Sequence, residues 1–209
     1  MPFTRDWSSN FTVWETVARL RVPVDNSRVL SPSSPLPYHD RKPQGAADFY
    51  FAINATFRFI RLKFGLEDLR EYWTDLGRDY LQPVWRRWKE GGLPAVAAYW
   101  KAFFAAEPGA EVEVEESAES VTLHVRTCPA IAHLKQHGRE IVPEFCQHCY
   151  FVSEAAAEQA GLTVRVTGGG GACTQTFHPR ENAPAPQDLA AISINRPPEH
   201  KIQDPQSKI

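Results

Sequence analysis

The feature that most limits what this chain can fold into is a change of hydrophobic period at Pro108-Gly109. Before that point apolar residues return every three or four positions; after it they alternate. Phe49, Ile53, Phe57, Ile60 and Phe64 follow the first rule and predict one helix face, with Gly65 as its stop. Leu69, Tyr72, Trp73, Leu76 and Tyr80 predict a second helix that Pro83 ends, because a proline ring clashes with the preceding turn. Val84, Trp85 and Trp88 carry a short helical segment to Gly91-Gly92. Pro94 then suits the first turn of a last helix bearing Val96, Tyr99, Trp100 and Phe103. These aromatic stripes read first as packing surface and second as walls of a ligand pocket. Asn54, Arg58 and Arg61 read as a solvated face or as contacts to an acidic ligand.

Beyond the break, Glu111–Glu115 and Val121–Val125 alternate and predict an antiparallel hairpin with its glutamates on a solvated edge. Cys128-Pro129 then opens a short helix that Gly138 stops. A longer helix is predicted from Pro143 to Gly161, followed by strands at Leu162–Thr167 and Ala172–His178 joined by Gly168 to Gly171. Helices first and an antiparallel sheet afterwards define the α+β class: an N-terminal helical half packed on a β-β-α-α-β-β unit. The predicted organisation is an irregular arm at 1–45, a single α+β domain at 46–178 and a flexible, proline-rich tail at 179–209. In that tail DLAAISI is the one apolar patch, able to pack as a short strand.

A net charge of −2 offers no electrostatic case for nucleic acid or an anionic membrane. The start MPFTRDWSSN lacks a basic stretch leading into an apolar run, and no segment is long enough to span a bilayer. The expectation is a cytoplasmic protein, where a C-x-x-C pair points to metal or redox chemistry instead of a structural disulfide. The composition leaves a homo-oligomer open.

All the cysteines lie between Arg126 and Phe177: Cys128, Cys146, Cys149 and Cys173, spaced C-x17-C-x2-C-x23-C. Cys146 and Cys149 sit three apart on one helix and make the usual half of a tetrahedral zinc site, but no second C-x-x-C pair completes it. Cys128, at a strand end, and Cys173, at a strand start, are candidates for the missing ligands. Zinc is the first expectation, and four thiolates also suit an iron–sulfur cluster. The plain alternative makes Cys128 and Cys173 small buried hydrophobes. Near a helix N-terminus the dipole is expected to lower the pKa of Cys146 and Cys149. Cys146 is then a candidate nucleophile, with His148 or Glu144 moving the proton. His148 points away from the cysteine pair on an ideal helix, so it is not expected as their co-ligand. His133 and His137, four apart, read as solvated or as a second metal pair. The four glycines are not a phosphate loop, since they join strand to strand and no Lys-Ser/Thr follows. Their number exceeds what a turn needs.

The Cys128-Pro129 step after a strand, His137-Gly138, Pro143-Glu144-Phe145-Cys146 and a glycine-rich turn entering Cys173 resemble the L-2-amino-thiazoline-4-carboxylic acid hydrolase family. Its fold group is similar to the vinyl-reductase-type small-molecule-binding domains, in which a helical half packs on an α/β half and cysteines can bind zinc. The resemblance implies hydrolysis of a C–N bond in a small, heterocyclic molecule. Family members tend to carry aspartate where Cys149 stands, so this chain holds an extra thiol. Two functions follow as expectations: a small hydrolase-like enzyme with a cysteine-rich centre, or a small-molecule binding or sensing domain with a structural cysteine-held zinc or iron–sulfur site.

Overall fold

The computed structural model of the protein describes residues 45–194. The predicted arm, apart from Gly45, and the last part of the predicted tail lie outside them. Among the described residues five α-helices and four strands make an α+β fold. Helix α1 runs Phe49–Lys63, α2 Leu66–Asp75 and α3 Gln82–Ala106; strands β1 and β2 run Glu111–Glu116 and Val121–Thr127. Then come α4 (Pro129–Gln136), α5 (Gln147–Gln159), β3 (Leu162–Gly169) and β4 (Ala172–Pro179). The strands pair antiparallel in the order β1-β2-β4-β3. Among the described residues no helix is long and apolar enough to cross a membrane.

The sheet is one-sided because every strand alternates. Val121, Leu123, Val125, Val164, Val166, Gln175 and Phe177 are paired or adjacent across the register on one face, and all are buried. The helices cover that face. The opposite face carries Thr122, His124, Arg165, Thr174 and Thr176. β1 is an edge strand, and its glutamates pair across to β2: Glu113 with Arg126 at 2.8 Å and Glu115 with His124 at 3.1 Å. Charge on an unpaired edge opposes intermolecular strand pairing.

Two apolar clusters fill the interior. One joins Trp88 and Val96 of α3 and Ala156 of α5 to the inner sheet face. The other joins Phe57 of α1, Leu69 and Trp73 of α2, Ile131 and Leu134 of α4, and Phe145. Trp73 and Trp88, at 0% and 1% exposed, anchor one cluster each. The aromatic stripes are therefore core, with three local departures from the expected faces. Phe49 and Phe64, at opposite ends of α1, are 66% and 59% exposed, and the helix buries Asn54 and Phe57 instead. The second helix changes to a π-helical turn at Leu76–Tyr80. A π turn adds a residue to the helical repeat and rotates the following side chains. Tyr80 consequently points to solvent and Gly77 faces α5, where a Cβ would stand 2.1 Å from the Val152 carbonyl oxygen. Pro83 opens α3 as well as closing the preceding segment, and α3 kinks at Gly92, whose φ is 60°.

Candidate functional site: a four-thiol pocket between the two cores

α5 starts at Gln147, four residues after the predicted start at Pro143. Residues 143–146 form a tight turn of i→i−3 bonds, with Phe145 N–H donating to Val142 O at 2.9 Å and Gln147 N–H to Glu144 O at 2.8 Å. Cys146 is therefore the N-cap of α5 and Cys149 lies in its first turn. Helix α1 clamps the segment that delivers them. Asn54, 5% exposed, donates its Nδ2–H to Glu140 O at 2.8 Å and accepts from Val142 N–H at 3.2 Å. Arg58 pairs with Glu140 at 2.7 Å and Arg61 with Glu144 at 3.3 Å. The two arginines thus pair with the segment of their own chain that delivers Cys146.

Cys128 is the N-cap residue of α4, between β2 and Pro129. Its N–H donates to Gly171 O at 2.8 Å. Cys173, the second residue of β4, pairs with Val125 on one side and Gly168 on the other. These local placements converge. Cys128, Cys146, Cys149, Cys173 and His148 line one void of about 20 Å³, together with Ile131, Phe145, Val166 and Ile192. It sits where the two clusters meet, and Cys146 packs against both. All four cysteines are free and half-buried.

The glycine run explains how the walls close. Gly168, Gly169, Gly170 and Gly171 all have positive φ, between 65° and 137°, a region where only glycine is unstrained. A Cβ on Gly169 would stand 2.1 Å from Ser193 O, so the chain after β4 passes directly against this turn. Ser193 N–H donates to Gly168 O at 3.0 Å and Ile192, 3% exposed, bridges to Gly168. Gly170 N–H points at Cys146 Sγ, 3.4 Å away, and Lys135 Nζ donates to Gly170 O at 2.6 Å. The DLAAISI patch is therefore docked, forming one wall of the pocket.

Burial sets the state of the thiols. It pushes Cys146 and Cys149 from 9.0 up to about 12 and Cys128 to about 11. Cys173 is raised well above its ordinary value by burial, then by the neighbouring Cys149 and Cys128. This reverses the expected direction. A helix dipole contributes about 0.3–1 kcal/mol, less than one pKa unit, whereas removal from water moves these thiols by several units. The Gly170 N–H offsets part of the rise at Cys146.

His148 differs from expectation in position. Its ring packs against Phe57, Phe145 and Trp73. Nδ1 lies 2.5 Å from Phe145 O and so carries the proton, which leaves Nε2 free to accept, 3.7 Å from Cys149 Sγ. Burial lowers its pKa and keeps it neutral near pH 7. The partner of His148 is thus the adjacent Cys149 and not Cys146. Glu144 does not line the pocket; it faces Arg61, and its Oε2 is buried without a hydrogen-bond partner. The His133 and His137 rings lie 4.3 Å apart, tilted by 47°, with His133 Nε2 3.1 Å from Asp48 Oδ1 and both rings against Phe51. Among the described residues no three His, Cys, Asp or Glu stand at the mutual spacing of a ready-made metal site, in the four-thiol pocket or at these histidines.

Two residues of the site, Ile192 and Gln175, have no role assigned by the sequence. Ile192 contributes a wall from beyond the last strand. Gln175, on the inward face of β4, reaches Cys173 Sγ through Nε2 at 3.9 Å. The second had a signal: an amide at an inward position of an alternating strand, two residues after a cysteine. Comparison with known proteins gave no match: no protein-family model, no curated protein and no solved structure matches the chain.

Proposed function

We propose that this domain is a metal-binding module that takes one soft divalent ion, zinc first, on Cys128, Cys146, Cys149 and Cys173, and that the ion ties the helical cluster to the sheet cluster. The observation that carries this reading is the convergence of Cys128, the Cys146–Cys149 pair and Cys173, from three separate elements, on one void of about 20 Å³. That volume suits a single ion; a water needs about 10–15 Å³ by the same measure, and organic ligands occupy pockets of roughly 300–1,000 Å³. Four neutral thiols gain nothing from facing one another. A cation displaces their protons, and its charge outweighs the repulsion among the thiolates that result. The sulfurs must draw inward to bind, and the glycine turn between Cys146 and Cys173 gives them a wall that can follow. A site closed by four thiolates leaves no open position for a bound water, so the ion is structural.

The test is elemental analysis of the purified full chain, with a thermal melt before and after chelation. The expected result is one equivalent of zinc, thiols that alkylate slowly until the chelator is added, and loss of the metal in Cys128→Ser and Cys173→Ser. A metal-free protein whose melting midpoint ignores added zinc would sink the reading. A coloured protein with acid-labile sulfide would replace the ion by an iron–sulfur cluster.

The 3.7 Å approach of His148 Nε2 to Cys149 Sγ favours one second reading, the C–N hydrolase. In it the pocket opens to admit the substrate, His148 takes the proton of Cys149, and the thiolate adds to the electrophilic carbon; His148 returns the proton to the nitrogen as the C–N bond breaks, and water then hydrolyses the carbon–sulfur intermediate and frees Cys149. Its signature is a metal-free protein with one fast-alkylating cysteine, silenced by His148→Ala.

A further inference from the structure

The inward face of β4 reads Cys173, Gln175, Phe177, and Gln175 is its anomaly. Its register partners are Leu123 on β2 and Val166 on β3, and the rest of that face around it is Val121, Val125, Val164 and Phe177. Gln175 is 3% exposed. Its carboxamide has Nε2 3.9 Å from Cys173 Sγ, and its Oε1 is buried with no partner among the described residues. A methionine or leucine would fill the same slot without leaving a carbonyl oxygen unpartnered in an apolar face. The amide therefore costs stability unless its N–H does something that a methyl group cannot.

The contact it makes is with a sulfur of the pocket, and it is one of two of that kind. On the neighbouring wall the Gly170 N–H points at Cys146 Sγ from 3.4 Å. An N–H group is matched to an anionic or metal-bound sulfur, which accepts, and poorly matched to a neutral S–H that itself seeks an acceptor. Donors to ligand sulfurs orient them and set metal affinity from outside the coordination sphere. We infer that Gln175 is a positioning residue of the four-cysteine centre: Nε2–H donates to Cys173 Sγ once that thiol has given its proton to solvent and joined the ion. The Gly170 N–H does the same for Cys146. The inference rests on the metal-binding reading above and adds the residue that stabilises one of its ligands.

The experiment uses the full chain with cobalt(II) as the optical probe and zinc in competition with a chelator. Wild type is expected to give a sulfur-to-cobalt charge-transfer band and a measurable zinc affinity. Gln175→Met, close in shape but without a donor, is expected to bind zinc roughly 10-fold more weakly and to shift that band. The metal-free variant should melt at the wild-type temperature or above it, because an unpartnered carbonyl has gone. A residue that only fills space would change the metal-free melt and leave affinity and spectrum alone. If Gln175→Met does not melt cooperatively, Gln175→Leu takes its place in the same titration. Wild-type affinity and an unshifted band in the folded variant overturn the role of Gln175 and leave the metal site standing. If wild type itself gives no cobalt band and no zinc affinity, the metal reading has failed and this inference falls with it.

Discussion

Replacing Gly169 by alanine perturbs the wall of the pocket without touching a cysteine. Gly169 has φ 137°, where an L side chain is strained, and its new Cβ would lie 2.1 Å from Ser193 O and 2.7 Å from Ser193 C. Both are backbone atoms, so the segment after Asp188 must retreat by close to an ångström. Backbone strain contributes about 1–3 kcal/mol. Weakening the 3.0 Å bond from Ser193 N–H to Gly168 O adds about 1 kcal/mol. Lifting Ile192, 3% exposed, partly out of the core adds about 1–2 kcal/mol, a part of the roughly 1.5–3 kcal/mol of a full aliphatic burial. The expected loss is about 3–6 kcal/mol. Gly138→Ala is the control: its φ is 60° and nothing lies within 4 Å of the added Cβ, so only the left-handed strain of about 1–2 kcal/mol applies. Urea unfolding of chelator-treated proteins reads both, since bound metal would add its own binding free energy to the folded state. If the two variants differ by less than about 1 kcal/mol, the 189–193 segment does not pack on the glycine turn and the pocket loses one of its walls.

Two further outcomes follow from the same geometry. Asn54→Leu removes both hydrogen bonds that pin the 140–142 backbone and leaves a buried Val142 N–H unpaired. It should cost about 2–3 kcal/mol in chemical unfolding and raise the alkylation rate of Cys146, which that segment delivers. His148 gives the metal-free protein an acid limb. Its folded pKa lies below its unfolded value of 6.5, so the folded state refuses a proton that the unfolded state accepts. Its contribution is complete above that value and is lost as pH falls below it. A chelated sample should melt lower at pH 5 than at pH 7, and His148→Phe should flatten that difference; an unchanged slope would place the titration elsewhere.

The class of the fold was legible because it depends on period alone. Phe57 and Trp73 recur at helical spacing, Val121, Leu123 and Val125 at strand spacing, and each pattern survives whatever it packs against. The limits of faces were less legible because they depend on where a neighbour ends. Phe49 and Phe64 continue the α1 stripe in sequence but overhang the cluster in space. Tyr80 left its stripe because a π turn that no periodic template contains rotated it. The docked Ile192 belongs to a segment whose composition is that of a tail, and only its contact with Gly168 gives it a place.

Four thiols within one short stretch, and a half-site between Cys146 and Cys149, are properties of the chain itself. Their meeting is not. Cys128 follows β2 and Cys173 lies in β4, strands that are neighbours only because the sheet order runs β1-β2-β4-β3, and α5 lies beside them because α1 holds the segment before it. The direction of the thiol pKa belongs to the same division. Sequence position places Cys146 and Cys149 at a helix start, where the dipole acts over one turn, while burial depends on every element packed around them. Local order along the polymer determined which groups this protein has to work with; long-range packing, which alone removes water, decided what state those groups are in.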